Sequence, residues 1–148
     1  MVASKEVENS TCPVARSAAL LGDRWALLVV RDAFDGMRRF GDFQRSLGAA
    51  RNILADRLRR LVEAEILAMQ PASDGSAYQE YVLTSRGEAL FPLVVALRQW
   101  GEHHLFARGE ARSVLLDTET GKTVPYMAPR DADGEALPPA RTRVRKPR

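Results

Sequence analysis

Between residues 40 and 84 the chain runs through an order of signals that few folds can use. A short apolar-faced segment is followed by a glycine, an amphipathic helix and two β-like runs around an Asp-Gly turn. Phe40, Phe43 and Leu47 share one face at helical spacing, and Gly48 breaks the segment. The spacing then predicts a helix from about Arg51 to Ala64, with Leu54, Leu58, Leu61 and Val62 as its buried stripe. Asn52, Asp56, Arg59 and Arg60 fall opposite that stripe, Ala55 lies at its edge, and Arg51 stands at the N-terminal tip. A short helix, a glycine turn and a helix with polar outer side chains is the layout of a helix-turn-helix. Residues 65–70 and 78–84 read as strands, joined by the loop 71–77 with Asp74-Gly75 as its turn signal. A hairpin directly after such helices predicts a winged helix-turn-helix. The expected class is mainly α with a small β-hairpin (α+β).

The flanks extend this plan. Residues 1–11 are polar and read as a disordered N-terminal arm. Pro13 suits a first helical turn, Val14, Ala18 and Leu21 recur at helical spacing, and Gly22 stops that helix. Asp23 can cap the next helix, WALLVVRDAF, whose nearly all-round apolar surface predicts burial. Ser85 and Glu88 match a capping box and are expected to open one long helix to about Phe106. Leu90, Val94, Leu97 and Gly101 mark one of its faces, with Leu93 and Trp100 beside it. So broad an apolar surface predicts a partner chain, and hence a long C-terminal dimerisation helix. Pro92 must kink that helix unless it lies in a first turn. The domain is expected over 12–106, followed by an extension over 107–148. Within the extension, SVLLDTETGKTVPYM suggests a hairpin, and the chain from Ala128 on reads as loose.

At 148 residues the chain fits one ordinary domain, and 45% hydrophobic with 28% charged residues is a globular balance. No apolar run reaches the roughly 18–20 residues that span a bilayer, and the N-terminus lacks the core of a signal peptide. The expectation is a cytoplasmic protein without membrane association. Cys12 is the single cysteine, so no disulfide or cysteine zinc cage forms within one chain. His103 and His104 are adjacent and point about 100° apart on a helix, which does not suit joint metal binding. No nucleophile–base set, phosphate loop or paired-carboxylate motif is present, so the reading is neither an enzyme nor a cofactor protein.

The net charge of +3 is unevenly placed. The last eight residues, RTRVRKPR, carry five positive charges, leaving 17 basic against 19 acidic residues elsewhere. A second cluster over residues 38–60 sets seven arginines against Asp42 and Asp56. Such clusters point to nucleic acid, although a solvated helix face has the same composition.

The chain resembles the HxlR-type winged helix-turn-helix regulators. The resemblance rests on Cys12-Pro13-Val14, Gly22-Asp23-Arg24-Trp25 with Leu27-Leu28, and Asp35-Gly36-Met37-Arg38-Arg39-Phe40. It continues through Leu54, Arg57-Leu58-Arg59, Leu61, Glu80-Tyr81-Val82-Leu83-Thr84 and Gly87 to Pro92 and Trp100-Gly101-Glu102. It implies a dimeric bacterial transcription regulator on an operator of double-stranded DNA. Helix 51–63 would enter the major groove, and the loop 72–77 would approach the minor groove or phosphates. The first and last long helices would make a homodimer. It also implies that a cysteine at the position of Cys12 can sense quinones, aldehydes or oxidants. Three features depart from the family pattern. Ala50 stands where a serine often caps the reading helix. The loop 71–77 holds no Arg or Lys, a deficit the basic tail is placed to offset through sequence-independent phosphate contacts. The extension lacks the cysteines that bind metal in some members.

Arg51, Asn52 and Arg59 are the candidate base readers, since Arg pairs bidentately with guanine and Asn with adenine. Ala55 and Ser76 complete the candidate DNA-binding set with Arg38 and Arg39. One of those two arginines is expected on phosphate and the other on a carboxylate within the fold. Asp56 is expected to pair with Arg59 or Arg60 one turn on. Cys12 is the candidate redox sensor, because amide groups at a helix N-terminus favour a thiolate. Its alternative is an inert interface residue. Trp25, Trp100 and Phe106 are core candidates that would also suit a pocket for a small hydrophobic or electrophilic effector. The leading expectation is a sequence-specific repressor that answers to an effector. The alternatives are a redox or electrophile sensor switching through Cys12, and a protein-binding winged helix without DNA readout.

Overall fold

The computed structural model describes residues 7–148. The first six residues of the expected arm lie outside the described residues. Its end is tied down: the Cys12 N–H donates to the Ser10 hydroxyl at 3.0 Å, and Arg16 Nε donates to the Ser10 carbonyl at 2.6 Å. The elements are α1 (Pro13–Leu21), α2 (Arg24–Phe34), α3 (Phe40–Leu47), α4 (Arg51–Glu63), β1 (Leu67–Pro71), β2 (Gln79–Leu83), α5 (Ser85–Glu88), α6 (Phe91–His104) and a 3-10 turn, Pro139–Arg141. The chain divides into two compact units between Phe91 and Pro92, whereas the sequence reading draws its division after Phe106.

The first unit grows from α2. Asp23 caps this helix, its Oδ1 accepting the Ala26 N–H at 2.9 Å, and the helix buries Ala26, Val29 and Val30. It packs on α3 and α4, where Phe43, Leu54, Leu58 and Leu61 close the core with Ile66 and Leu67. Each such side chain contributes about 1.5–3 kcal/mol through burial. Asp32 is buried in the same helix, with Arg31 against its Oδ1 at 2.7 Å. Gly48 ends α3 at φ 63°, a left-handed conformation that glycine adopts without a Cβ clash, and so sets the turn into α4. At the far end of α4, Ile66 and Glu65 N–H groups return to the Leu61 and Val62 carbonyls, both at 2.9 Å. This is a Schellman closure with Glu65 at φ 60°.

The hairpin pairs Leu67 with Leu83 through Pro71 with Gln79, antiparallel, and Ala72 N–H continues it to the Tyr78 carbonyl at 3.0 Å. Two expectations for the next helix are corrected. Its cap is Thr84 rather than Ser85: the Thr84 hydroxyl accepts the Gly87 N–H at 3.0 Å. The single helix expected from Ser85 to Phe106 is two helices, with Ala89 and Leu90 between them. Pro92 explains the break. In a continuous helix its ring would collide with the Glu88 carbonyl, four residues back, whereas in the first turn of α6 it is harmless.

In the second unit, Val95 and Gln99 are the buried residues of α6. The Gln99 side chain donates to the Pro125 carbonyl at 3.0 Å and accepts the Met127 N–H at 2.8 Å. Arg98 donates to the Ser113 hydroxyl at 2.9 Å. The hairpin expected around Thr120-Gly121 contracts to one bridge, Leu116 with Thr123, because Asp117 folds the intervening turn with its own carboxylate. Beyond Ala128, a bridge between Arg130 and Ala136 and an ion pair of Arg141 with Asp131 at 3.5 Å organise a stretch whose sequence reads as loose.

Candidate nucleic-acid interface

α4 is capped by Ala50, whose side chain offers no hydrogen bond to the first turn. Behind it stands the buried stripe Leu54, Leu58 and Leu61; in front, Arg51, Asn52 and Ala55 are exposed. The Arg51 guanidinium lies 4.8 Å from the Phe40 ring centre, a cation–π contact that ties the tip of α4 to the start of α3.

One turn further on, Asp56 is the hub of the arginine cluster. It receives Arg59 at 2.6 Å, Arg57 at 2.7 Å and Arg60 at 3.0 Å. The Arg59 hydrogen bond is the largest influence on its carboxyl, burial opposes it, and Arg60 and Arg57 add to the lowering, so the group is held below its ordinary value. Arg59 also reaches Glu63 at 2.9 Å. Arg59, a candidate base reader, therefore sits in an intrahelical ion-pair network. Arg57 continues to Asp23 at 3.0 Å and joins α4 to the cap of α2.

Arg38 and Arg39 both meet carboxylates within the fold, where the sequence expectation is that only one does. Arg38 pairs with Glu80 at 3.4 Å. Glu80 is 4% exposed and also accepts the Ser73 N–H and hydroxyl, both at 3.3 Å. Burial pushes its carboxyl up, but the Ser73 amide, Arg38 and the Ser73 hydroxyl together hold it below its ordinary value. Arg39 pairs with Asp74 in the hairpin loop and donates to Ser76 Oγ at 3.4 Å, with its guanidinium 5.3 Å from the Tyr78 ring. The Ser76 amide and hydroxyl, then Arg39, lower the Asp74 carboxyl to about 2.

A cleft of about 520 Å³ opens between α3, the start of α4 and the hairpin, with Arg39, Arg45 and Arg51 around Phe40, Tyr78 and Tyr81. Sequence reasoning missed Asp74, Tyr78 and Glu80. An aromatic residue closing a turn-rich loop is a weak signal for Tyr78; nothing in the sequence marks Glu80 for burial.

Cys12 caps α1, its sulfur accepting the Ala15 N–H at 3.4 Å, and is exposed. Trp25 is half-buried with the Arg24 guanidinium 4.5 Å over its ring. In the second unit, Trp100 is 58% exposed beside His104, and Phe106 is also exposed. Among the described residues no cluster of three or more His, Cys, Asp or Glu is placed to hold a metal ion, and no helix is long and apolar enough to cross a membrane.

A buried-backed helix behind a glycine turn, with a hairpin tethered beside its tip, defines a winged helix-turn-helix. The chain belongs to the HxlR-like helix-turn-helix family, whose model matches residues 20–108. It is 46% identical over 92 residues to the HTH-type transcriptional regulator Mb3122 of Mycobacterium bovis, a match covering 62% of this chain and 58% of that relative. It therefore spans less than two thirds of that relative's length. The solved structure of PA1607, described as a candidate transcription factor, superimposes with a TM-score of 0.89 at 51% identity, over 93% of this chain and 96% of that one. The redox regulator HypR in its reduced form gives 0.59 at 27% identity, over 64% and 94%. The family and its relatives are transcription regulators, not enzymes.

Proposed function

We propose that the protein is a homodimeric, sequence-specific DNA-binding repressor whose affinity for its operator is set by a small effector. The observation that carries the DNA reading is the exposed row Arg51, Asn52 and Ala55 on α4, backed by Leu54, Leu58 and Leu61 in the core. Major-groove reading needs such a rigidly seated face. Arg51 and Asn52 have the chemistry to read guanine and adenine. Arg59, held by Asp56 and Glu63, serves the field of the helix rather than a base.

The homodimer reading rests on apolar surface that a single chain leaves in water. Leu93, Leu97 and Trp100 on α6 and Val14 on α1 are all exposed. Two copies would set two reading helices on one side of a duplex. The operator is then an inverted repeat with half-sites about 10–11 bp apart or a multiple of that.

Genomic footprinting with purified protein tests this reading, followed by affinity measurements on the site found. Arg51→Ala and Asn52→Ala should each lose about 1–3 kcal/mol on the specific site and much less on unrelated duplex. Equal losses on both would reassign them to phosphate contact. Absence of salt-dependent duplex binding would favour a protein-binding winged helix.

A second reading concerns the switch. Cys12 is exposed at the cap of α1, and the similar protein HypR is a redox regulator with reduced and oxidised structures. Alkylation or oxidation of this thiol would alter the α1 contacts of a dimer and so the spacing of the reading helices. With one cysteine per chain, disulfide formation needs the second copy's thiol or an external one. The competing switch is a noncovalent effector near Trp25, Trp100 or Phe106.

A further inference from the structure

The hairpin loop poses an electrostatic puzzle, since it faces the task of approaching phosphates with Asp74 and without a single Lys or Arg. We propose that Arg39 is a positioning residue that presents this wing to DNA through Asp74, so that an acidic residue on the wing supports duplex binding. The proposal rests on the DNA-binding reading above and assigns how the wing takes part in it.

Consecutive residues just before α3 hold the second strand and the loop of the hairpin. The Arg38 carbonyl accepts the Tyr81 N–H at 2.7 Å, and the Arg38 side chain meets Glu80, which in turn holds Ser73. Arg39 spans 35 residues of sequence to reach Asp74. One Asp74 oxygen takes Arg39, and the other accepts the Ser76 N–H at 2.9 Å and closes the loop on itself. The Arg39 guanidinium also lies against the Tyr78 ring. Its Nη2 is thus turned to the loop. What the wing offers outward is the exposed Tyr78 and the partly exposed Arg39–Asp74 pair, whose two charges offset each other. The pair, a latch on the loop, is formed in the free protein, with Asp74 bonded to Arg39 and to the Ser76 amide. A loop already ordered has less conformational entropy to lose when it meets the duplex.

The sign of one mutation separates positioning from charge. Asp74→Ala removes a negative charge from a DNA-facing loop, and on charge alone it must tighten binding. Positioning predicts the reverse, a weakening of about two- to fivefold, the range an exposed ion pair allows. Arg39→Ala should weaken binding by the same factor, and the double variant should be no worse than either. The slope of log affinity against log salt should not change in any of them. Tighter binding by Asp74→Ala overturns the proposal, as does a slope flattened by about 0.9, the value of one neutralised phosphate, in Arg39→Ala. Hydrogen exchange at the Ser76 amide of the free protein provides a readout independent of DNA. It should quicken in both single variants, and an unchanged rate also overturns the latch. Failure of the wild type to bind any duplex would instead sink the DNA reading, and the exchange measurement would still test the latch.

Discussion

The two units of this chain use apolar residues in opposite ways. The first buries Val29, Phe43, Leu54, Leu58, Leu61, Ile66 and Leu67 against one another. The second buries Val95 and Gln99 on α6 and leaves Leu93, Leu97, Trp100, Leu105 and Phe106 exposed. A unit with its own core can fold on its own account, whereas a surface this apolar marks an interaction site. On the proposed reading the contrast separates two jobs: the first unit would hold a reading face rigid, and the second would supply surface for assembly.

The largest expected effect breaks the first side of the contrast. Leu58→Ala leaves a cavity behind the reading face and should cost about 2–5 kcal/mol of folding stability. Leu97→Ala, an equal deletion at an exposed site, should change the stability of the isolated chain by no more than about 0.5 kcal/mol. Urea denaturation at low protein concentration measures both, and similar losses at the two sites would erase the distinction.

The next effect addresses assembly. Leu97→Glu places a carboxylate in the proposed seam and should cost about 1–3 kcal/mol of association for each copy. Light scattering should show monomers with an unchanged circular dichroism spectrum. A stable, well-folded dimer of this variant would move the interface elsewhere.

Legibility in the sequence follows the same division. Periodicity exposes the stripe Leu54, Leu58, Leu61 and the face Phe40, Phe43, because each is written into a single helix and needs no knowledge of its neighbours. Pro92 signals the break at Ala89, but its position is masked because Ser85 and Glu88 satisfy a capping pattern that reads as the start of one long helix. Only the placement of Thr84, whose hydroxyl also donates to the Glu65 carbonyl, reveals the true cap. The exposed face of α4 is legible in the sequence, and the contacts that hold the wing are not. Asp74 reads as a turn residue, and the sequence does not say which of Arg38 and Arg39 meets a carboxylate, because nothing local reports a pair formed across such a separation. Glu80 escapes for a related reason: burial of a carboxylate depends on partners contributed by Ser73 and Arg38. In the extension, β-like residues around Gly121 overstate a hairpin that closes with one bridge.

A smaller effect tests whether the second unit does more than the proposed assembly. Its last eight residues carry five positive charges, and Arg143, Arg145, Lys146 and Arg148 are exposed. Deleting 141–148 should weaken specific and unrelated duplex alike, because phosphate contacts carry no sequence information. The slope of log affinity against log salt should flatten by about 0.9 for each phosphate that the tail no longer neutralises. An unchanged slope would confine DNA contact to the first unit and sharpen the contrast between the two.

The smallest structural effect is expected at Cys12, and it decides what the assembly surface senses. Serine is a preferred helix cap, and its hydroxyl can accept the Ala15 N–H that the sulfur now accepts. Cys12→Ser should therefore alter stability by less than about 1 kcal/mol and leave operator affinity unchanged. What it should remove is the response to reagents that attack a thiolate. Wild-type operator complexes titrated with a quinone or peroxide should release DNA, and the serine variant should hold it. Release by both proteins would assign the switch to a noncovalent site, where the exposed rings of Trp100 and Phe106 in the second unit become the residues to substitute next. Release by neither would describe a regulator that binds its operator constitutively, with the apolar surface of α6 serving assembly alone.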